Sequence, residues 1–303
     1  MNFSVVKVFA ASLFLTTGLV AFAQNPIVQT QYTADPAPMV YNGKVYLYTS
    51  HDEDNSTWFV MNDWKLYTTE DMVNWTDHGA VASYKVFSWA KGDAWAIQCI
   101  ERNGKFYLYA PVTSKENNKP AIGVAVADSP FGPFIDPLGK PLAQLNFGDI
   151  DPTVFVDKKG QGWIFWGNSE CYYAKLKENM TEIDGEIYHI KLPNFTEAPW
   201  IHKHNGWYYL SYAYEFPEKI AYAMSKSITG PWEFKGILNE LAGNSNTNHQ
   251  SIIDFKGQSY FIYHNGASKP NGGSFRRSVC VDKLFYNKDG TMKRVVMTSE
   301  GIQ

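Results

Sequence analysis

Residues 31–53 read QYTADPAPMVYNGKVYLYTSHDE, the first copy of the pattern that decides the fold. Val45 to Thr49 is a run of β-branched and aromatic residues, which is typical of a β-strand. The dipeptide Asn42-Gly43 is a strong signal for a tight hairpin turn. Asp35 is therefore expected at the start of a strand that turns back at Asn42-Gly43. Asp-Pro is also common in ordinary turns, so the meaning of Asp35 depends on whether the pattern recurs.

The pattern recurs four more times along the chain. Each copy begins with a polar residue, reaches a turn glycine eight to eleven residues later, and ends in an aromatic strand. The polar residues are Asp35, Asp93, Asp151, Glu197 and His249, and the glycines are Gly43, Gly104, Gly160, Gly206 and Gly257. The polar positions are 58, 58, 46 and 52 residues apart. This spacing predicts five structural units built on one plan.

A second motif follows most of the units, as in KLYTTEDMVNWTDHG, IGVAVADSPFGPFID, IAYAMSKSITGPWEFKG and SVCVDKLFYNKDGTM. Each copy contains a strand, a polar turn and a short final strand, so each unit holds about four strands. Units of this kind predict an all-β fold, a five-bladed β-propeller. A β-sandwich is the alternative, although it does not account for one motif in every unit. In a propeller the first strand of each blade lines the central channel, so the five polar residues are expected to converge at one end of it.

The first 23 residues have the features of a secretory signal peptide. Lys7 gives a positive start, an apolar run extends from Val8 to Leu19, and Ala21-Phe22-Ala23 precedes the expected cleavage before Gln24. A membrane-spanning helix is the alternative, but the run is short for one. We therefore expect a mature chain of residues 24–303 that forms a single catalytic propeller domain. The pattern looks bacterial and predicts a periplasmic or secreted protein.

The composition limits the classes of partner and of covalent cross-link. Charged residues make up 19% of the 303 residues and the formal net charge is −3, which gives no indication of binding to nucleic acid or of insertion into a membrane. Aromatic residues make up 16%, which fits an aromatic β core or surfaces that stack on sugars. An odd number of cysteines (Cys99, Cys171 and Cys280) argues against a disulfide framework. Cys99 and Cys280 lie in apolar runs and are expected to be buried thiols.

Three of the five repeated positions are carboxylic acids, and their convergence has chemical consequences. Like charges in a dry site push one pKa upward, so one carboxyl can stay protonated as a general acid while another remains an ionised base. Two such groups on either side of an acetal bond perform glycoside hydrolysis. The alternative is that these acids cap strands or bind a metal.

The motifs TADPAPMVYNGKVYLYTS, GDIDPTVFVDKKG, TEAPWIHKHNGWYYLSY and NHQSIIDFKGQSYFIYHNG resemble those of family 43 glycoside hydrolases. The resemblance covers the whole mature chain in order. It implies a five-bladed propeller that cleaves plant glycans containing arabinose and xylose. The tail GGSFRRSVCVDKLFYNKDG resembles the branch with arabinoxylan arabinofuranohydrolases and their xylosidase relatives.

The resemblance also implies catalytic roles. Asp35 corresponds to the general base that activates water, and Glu197 to the general acid that protonates the leaving oxygen. Asp151 corresponds to a third carboxylate that raises the pKa of Glu197 and orients it. The family inverts the anomeric configuration, so the base and acid carboxyls are expected to lie roughly 6.5–9.5 Å apart.

Further positions correspond to substrate or metal contacts. By resemblance His249 lies near a structural Ca²⁺ at the channel centre, bound directly or through water, and no other cofactor is implied. Arg277 is expected to contact sugar hydroxyls or a site carboxylate. Asp93 and Trp95 belong to the second unit's GDAW segment, where Trp95 is expected against the sugar or buried in its blade. Phe195 is expected to contact the substrate. Some of the aromatic residues in or beside the expected channel-mouth loops should form the pocket wall and the platform for the leaving group: Trp58, Trp89, Trp166, Phe195, Tyr214 and Phe216.

The expected function is that of a secreted, inverting exo-glycosidase that removes terminal α-L-arabinofuranose from oligo- or polysaccharides. A β-D-xylosidase, or an enzyme with both activities, is the nearest alternative, because the two sugars present similar hydroxyl arrangements to a compact pocket. Endo-arabinanase, endo-xylanase and exo-galactanase activities, and a non-catalytic glycan-binding propeller, are the weaker alternatives. Segments Ser50 to Asp63 and Ser114 to Pro120 are long enough to wall the channel mouth, which favours exo action.

Overall fold

The structure, a computed structural model, describes residue 1 and residues 24–302. The predicted signal peptide therefore lies outside the described residues except for Met1. The described chain is nearly all β, arranged as the five blades of a propeller, which confirms the predicted fold class. Among the described residues no helix is long and apolar enough to cross a membrane.

Each blade is an antiparallel sheet formed by consecutive strands. Blade 1 contains β1 (Tyr32–Tyr41), β2 (Lys44–Asp52), β3 (Asp63–Thr69) and β4 (Thr76–Ser83). A 3₁₀ helix (Tyr84–Val86) leads to blade 2, with β5 (Ala90–Gly92), β6 (Gln98–Arg102), β7 (Lys105–Ser114) and β8 (Pro120–Ala127). Blade 3 contains β9 (Thr153–Val156), β10 (Gly162–Trp166), β11 (Cys171–Leu176) and β12 (Ile183–Ile190).

Blade 4 contains β13 (Trp200–His204), β14 (Trp207–Tyr214), β15 (Lys219–Ser225) and β16 (Glu233–Asn239). Blade 5 has three strands, β17 (Gln250–Phe255), β18 (Gln258–Asn265) and β19 (Ser278–Leu284). The expectation of about four strands per unit therefore does not hold for the fifth sheet as the structure describes it.

Two-residue turns with positive φ at both positions join the first two long strands in four of the blades. In blade 1 this turn is Asn42-Gly43, with φ of 47° and 76°. The equivalents are Asn103-Gly104, Asn205-Gly206 and Lys256-Gly257. Such a turn matches the twist of paired strands and requires residues that tolerate the left-handed region. The repeated glycines are thus explained by hairpin geometry.

The start of the described chain closes the ring against the last blade. The Ile27 N–H donates to the carbonyl oxygen of Val279 at 2.9 Å, and the Val281 N–H donates to Asn25 Oδ1 at 2.8 Å. The Thr33 N–H, in β1, donates to the carbonyl oxygen of Arg277 at 3.0 Å. Because first and last blades are bonded together, the inner strands are held around one channel.

Aromatic side chains fill much of the core. Tyr48, Trp166, Tyr209 and Tyr263 are fully buried and come from middle strands of four blades. Cys99, Cys171 and Cys280 are free and buried, as was expected for Cys99 and Cys280. Burial is the main cause that raises the pKa of each thiol, and it therefore disfavours the reactive thiolate. These cysteines accordingly act as packing residues.

Candidate active site

The five repeated polar positions line one cavity at an end of the channel. Its volume is about 750 Å³, within the range of small-molecule sites. The residues brought together are Asp35, Asp93, Asp151, Glu197 and His249. Arg277 and Trp95 line the same cavity. Each blade contributes one position: Asp35 lies within β1, and the other four lie one to five residues before β6, β9, β13 and β17.

Unusual backbone conformations aim these carboxyls. The φ angles of Asp35, Asp93 and Asp151 are 51°, 67° and 56°, and that of Ala198, next to Glu197, is 55°. Aspartate tolerates this left-handed region better than most residues, although it remains uncommon for a side chain other than glycine. Asp35 lies at a register shift within β1, between Ala34 and Ala37. Strained positions of this kind cluster at functional sites, here at equivalent places of three blades.

Asp35 is buried and is paired with a cation. Its Oδ1 accepts a hydrogen bond from Arg277 Nη1 at 2.9 Å, and His264 Nδ1 lies 3.3 Å from the same oxygen. Burial alone raises the pKa of Asp35, but Arg277, His264 and His249 together outweigh it and hold the pKa well below its usual range. Asp35 is therefore ionised at neutral pH.

Arg277 is itself held by a second buried carboxylate, Asp52. Asp52 Oδ2 accepts hydrogen bonds from the Arg277 main-chain N–H and Nε at 2.8 and 2.9 Å, and Asp52 Oδ1 accepts from Nη2 at 2.9 Å. The Arg277 guanidinium also lies 5.3 Å from the centre of the Phe59 ring. This planar pairing fixes the guanidinium in one orientation toward Asp35.

Glu197 has the opposite protonation preference from Asp35. Burial raises its pKa from 4.5 to about 7, and the negative charge of Asp35 acts in the same direction. A hydrogen bond of 2.7 Å from Asn168 Nδ2 to Glu197 Oε2 and the charge of Arg277 oppose the rise. Glu197 can thus carry a proton up to neutral pH.

Asp151 lies beside the backbone that carries Glu197. Its Oδ2 accepts a hydrogen bond of 3.0 Å from the Ala198 N–H. Burial first, then the charges of Glu197 and Asp35, raise the pKa of Asp151 well above its ordinary value. The negative charge of Glu197 therefore favours the protonated form of Asp151. The hydrogen bond from the Ala198 N–H fixes the backbone next to Glu197.

His249 contacts two of the acids. Its Nδ1 lies 3.6 Å from Asp35 Oδ1 and 3.9 Å from Asp151 Oδ2. Burial lowers its pKa to about 4 against the opposing effect of Asp35, so the imidazole is neutral at pH 7. Within residues 24–302 no cluster of three or more His, Cys, Asp or Glu side chains is arranged to hold a metal. Because Ca²⁺ prefers six to eight oxygen ligands, the His249 imidazole would be a minor or indirect partner of such an ion.

The cavity walls come from the second blade and from loops. Asp93 Oδ2 accepts a hydrogen bond from Thr113 Oγ1, and Trp95 Nε1 donates to the carbonyl oxygen of Phe59 at 3.2 Å. Three aromatic side chains line the cavity while remaining more than 60% exposed: Trp58, Phe147 and Phe216. The apolar face of a sugar ring, in the terminal unit or in the units linked to it, can stack on such aromatic rings.

The structure does not place Phe195 in the cavity lining, so its contact with substrate stays a prediction. Its backbone pairs with Tyr214, and its ring centre lies 5.6 Å from that of Tyr212. Trp89, Trp166 and Tyr214 are also absent from the lining. Trp166 is fully buried, with Nε1 donating to Asp149 Oδ1 at 2.8 Å.

Several lining residues carried no signal in the repeats. Asn168 follows the end of β10, Phe147 lies between β8 and β9, and Glu218 lies in the β14–β15 hairpin loop. Asp52 is the last residue of β2 and reaches the site only through Arg277. None of them occupies a position repeated from blade to blade, so the spacing argument could not find them.

Known proteins match this chain over nearly its whole described length. The sequence profile described as Glycosyl hydrolases family 43 matches residues 23–292. A xylosidase/arabinosidase of Bacteroides ovatus is 32% identical, over 91% of this chain and 97% of that relative. A solved α-L-arabinofuranosidase of Clostridium thermocellum is 39% identical with a TM-score of 0.76, over 92% and 98% of the two chains. A β-xylosidase/α-arabinofuranosidase from a compost microbial metagenome, solved with xylotriose in a calcium-free form, is 30% identical with a TM-score of 0.84, over 90% and 97%.

Proposed function

This chain belongs to glycosyl hydrolase family 43 and is a glycoside hydrolase acting on O-glycosyl bonds, and from that premise we propose that it is an inverting exo-glycosidase that removes terminal α-L-arabinofuranose from plant-type glycans. The observation that carries the mechanism is the opposite protonation of two carboxyls in one cavity. Arg277 holds Asp35 ionised, whereas burial raises the pKa of Glu197 to about 7. One group is ready to accept a proton and the other to donate one.

In the proposed reaction Asp35 takes a proton from water as the water oxygen bonds to the anomeric carbon. The bond from that carbon to the leaving oxygen breaks, and Glu197 gives its proton to the leaving oxygen. Water is consumed, and the released sugar has the inverted configuration. Exchange of protons with solvent returns Asp35 to its ionised form and Glu197 to its protonated form. Asp151 orients Glu197 through the Ala198 N–H.

The choice of arabinofuranose rests on relatedness. The α-L-arabinofuranosidase of Clostridium thermocellum shares 39% identity and matches nearly the full length of both chains. The compost enzyme with both β-xylosidase and α-arabinofuranosidase in its name binds xylotriose, which supports β-D-xylosidase or dual activity as the second candidate. The retained Asp35, Asp151 and Glu197 argue against a non-catalytic glycan-binding propeller.

Exo action is supported by two loops that wall the cavity. The segment between β2 and β3 contributes Trp58, Phe59 and Met61, and the segment between β7 and β8 contributes Asn118. Walls on these sides favour a pocket for a chain end over a groove open along its length. The signal-peptide pattern supports a secreted or periplasmic location for the mature chain. Calcium bound through water near His249 remains a prediction from the family resemblance.

The proposal is tested with the purified mature chain on aryl α-L-arabinofuranoside and aryl β-D-xyloside. We expect a higher kcat/KM for the arabinoside, and NMR of the first product should show the inverted anomer. Asp35→Ala should lose roughly 10²–10⁴-fold in kcat, because water is no longer activated. Asp184→Ala, an exposed change on β12 outside the cavity, serves as the matched control and should behave as the parent chain.

Each alternative has its own outcome. Turnover of the xyloside alone moves the substrate to β-D-xylose and leaves the mechanism in place. A retained anomer, or full activity in Asp35→Ala, contradicts the assignment of Asp35 as the base. Oligosaccharides as first products from arabinan or arabinoxylan contradict exo action. No turnover of any of these substrates contradicts the proposed function itself.

A further inference from the structure

A fourth carboxyl of the cavity, Glu218, is not among the residues given a role above. It lies in the loop between β14 and β15, directly after Phe216-Pro217. Only 1% of Glu218 is exposed, yet the residue lines the same cavity as Glu197 and Asp151. A buried carboxyl at a binding cavity is costly unless a partner satisfies it, so its contacts indicate what it does.

Two hydrogen bonds fix Glu218 across the boundary between blades 4 and 5. Its main-chain N–H donates to the carbonyl oxygen of Asn246 at 3.0 Å, and its Oε2 accepts from the Asn248 N–H at 2.9 Å. The other carboxyl oxygen, Oε1, has no hydrogen-bond partner among residues 24–302. Glu218 lines the cavity, so this oxygen is the one left for a ligand there to reach. The side chain is therefore held rigidly with one oxygen free for a ligand.

The surroundings of Glu218 favour its neutral form. Burial raises its pKa well above the ordinary value, and the charges of Glu197 and Asp151 push it further in the same direction. The Asn248 N–H and the charge of Arg277 act against this rise without reversing it. No basic side chain in the described part of the chain forms an ion pair with Glu218. A neutral carboxyl carries one O–H donor, which an ionised one lacks.

We propose that Glu218 is a substrate-binding residue whose neutral carboxyl donates a hydrogen bond from the cavity-facing oxygen to a hydroxyl oxygen of the bound sugar. The inference rests on the proposed function in one respect, that a sugar occupies this cavity. The proton of Glu218 stays on its carboxyl and favours a sugar that has a hydroxyl at this place. The proton of Glu197, in contrast, is transferred to the leaving oxygen. Because Asn248 preorganises the group, the bond forms without ordering a flexible side chain.

The proposal distinguishes two substitutions of similar size. Glu218→Met removes the donor, so kcat/KM for the aryl arabinoside should fall about 10- to 100-fold, mainly through KM, as for a lost buried hydrogen bond. Glu218→Gln keeps a donor in the same place and should recover most of this loss. At Glu197 the same change to Gln removes the transferred proton and should not be tolerated. Glu215→Met, in the same loop but exposed and away from the cavity lining, is the matched control.

Two kinetic results overturn the inference. The first is Glu218→Met within threefold of the parent chain, since no substrate contact would then have been lost. The second is Glu218→Gln as impaired as Glu218→Met, since the residue would then act as a carboxylate. Thermal unfolding of each variant shows whether any loss comes from misfolding.

Infrared spectroscopy gives a readout that needs neither catalysis nor the Met variant. At neutral pH the difference spectrum between the parent chain and Glu218→Gln should contain the C=O stretching band of a carboxylic acid. Addition of L-arabinose or D-xylose should shift that band as the O–H engages the sugar. Absence of the band, or a band that neither sugar shifts, overturns the inference. If the parent chain hydrolyses neither aryl glycoside but the band shifts with sugar, the proposed function fails while the role of Glu218 stands.

Discussion

Replacing Glu197, the proposed general acid, should make the protein more stable at neutral pH, although the variant is expected to be inactive. The folded state holds the pKa of Glu197 at about 7 rather than 4.5. At about 1.4 kcal/mol for each pKa unit, this difference corresponds to about 3 kcal/mol. This cost builds up between pH 4.5 and about 7, where the unfolded state ionises Glu197 and the folded state does not, and the parent chain bears it in full above pH 7. Glu197→Gln removes the cost while leaving an oxygen to accept the bond from Asn168.

The sign of the effect depends on pH in a defined way. Below pH 4.5 Glu197 is protonated in both the folded and the unfolded chain, so the parent and Glu197→Gln should have equal stability. As pH rises from 4.5 to about 7, only the unfolded state loses its proton, and the stability advantage of the variant should grow. Above about 7 the folded state also ionises and the advantage should level off near 3 kcal/mol at most. Glu197 is coupled to Asp151, whose pKa also falls when the charge is removed, so the measured gain sums both effects.

Urea unfolding at pH 4 and pH 8 measures the effect directly. Glu178→Gln, the same change at an exposed position outside the cavity, controls for general consequences of losing a charge. We expect no difference between parent and Glu197→Gln at pH 4 and a gain of about 2–3 kcal/mol at pH 8. An equal difference in stability at both pH values, or a less stable Glu197→Gln at pH 8, would falsify the claim that burial in the cavity raises the pKa of Glu197.

Three further changes test separate parts of the site. The kcat/KM profile should fall on the alkaline side near pH 7, where Glu197 loses its proton, and Asn168→Ala should move this fall to higher pH because its hydrogen bond favours the ionised form; a limb that does not move contradicts the assignment. Asp52→Asn should lower the free energy of unfolding by about 3–5 kcal/mol and reduce kcat, because the buried Arg277 loses a charged partner. Urea unfolding checks this, and a loss below 1 kcal/mol opposes it. Trp58→Ala should raise KM for an arabino-oligosaccharide more than for an aryl arabinoside, since its exposed ring lies at the cavity wall. Equal changes in both KM values would place the sugar chain elsewhere.

The repeated features were predictable because they depend on local backbone chemistry. A two-residue turn needs Asn-Gly or a similar pair, and each repeated polar position lies eight to eleven residues before the turn glycine. From this spacing alone Asp35, Asp151 and Glu197 could be placed in one ring, and the structure brings them together. The number of residues between blades varies, but four of the five blades share the same two-residue hairpin turn.

Residues that act across blade boundaries could not be found in the same way. Asp52 reaches Asp35 only through Arg277, which lies 225 residues further along the chain than Asp52. Phe195 lies two residues before Glu197, and a regular strand would place both side chains on one face. Here the backbone from 192 to 199 is not a regular strand, and Ala198 has a φ of 55°. Alternation therefore fails, and the ring of Phe195 packs on Tyr212 instead.

The position of Arg277 explains why similar carboxyls in one cavity take different roles. All of these carboxyls are buried, and burial by itself raises the pKa of each of them. Asp35 receives hydrogen bonds from the guanidinium and has its pKa driven down, whereas Asp151, Glu197 and Glu218 feel the same cation only at a distance and keep a raised pKa. The proposed base is therefore the carboxyl that touches the arginine, and the carboxyls with a raised pKa are those that do not. A substitution that moves Arg277 should therefore raise the pKa of Asp35 toward those of its neighbours.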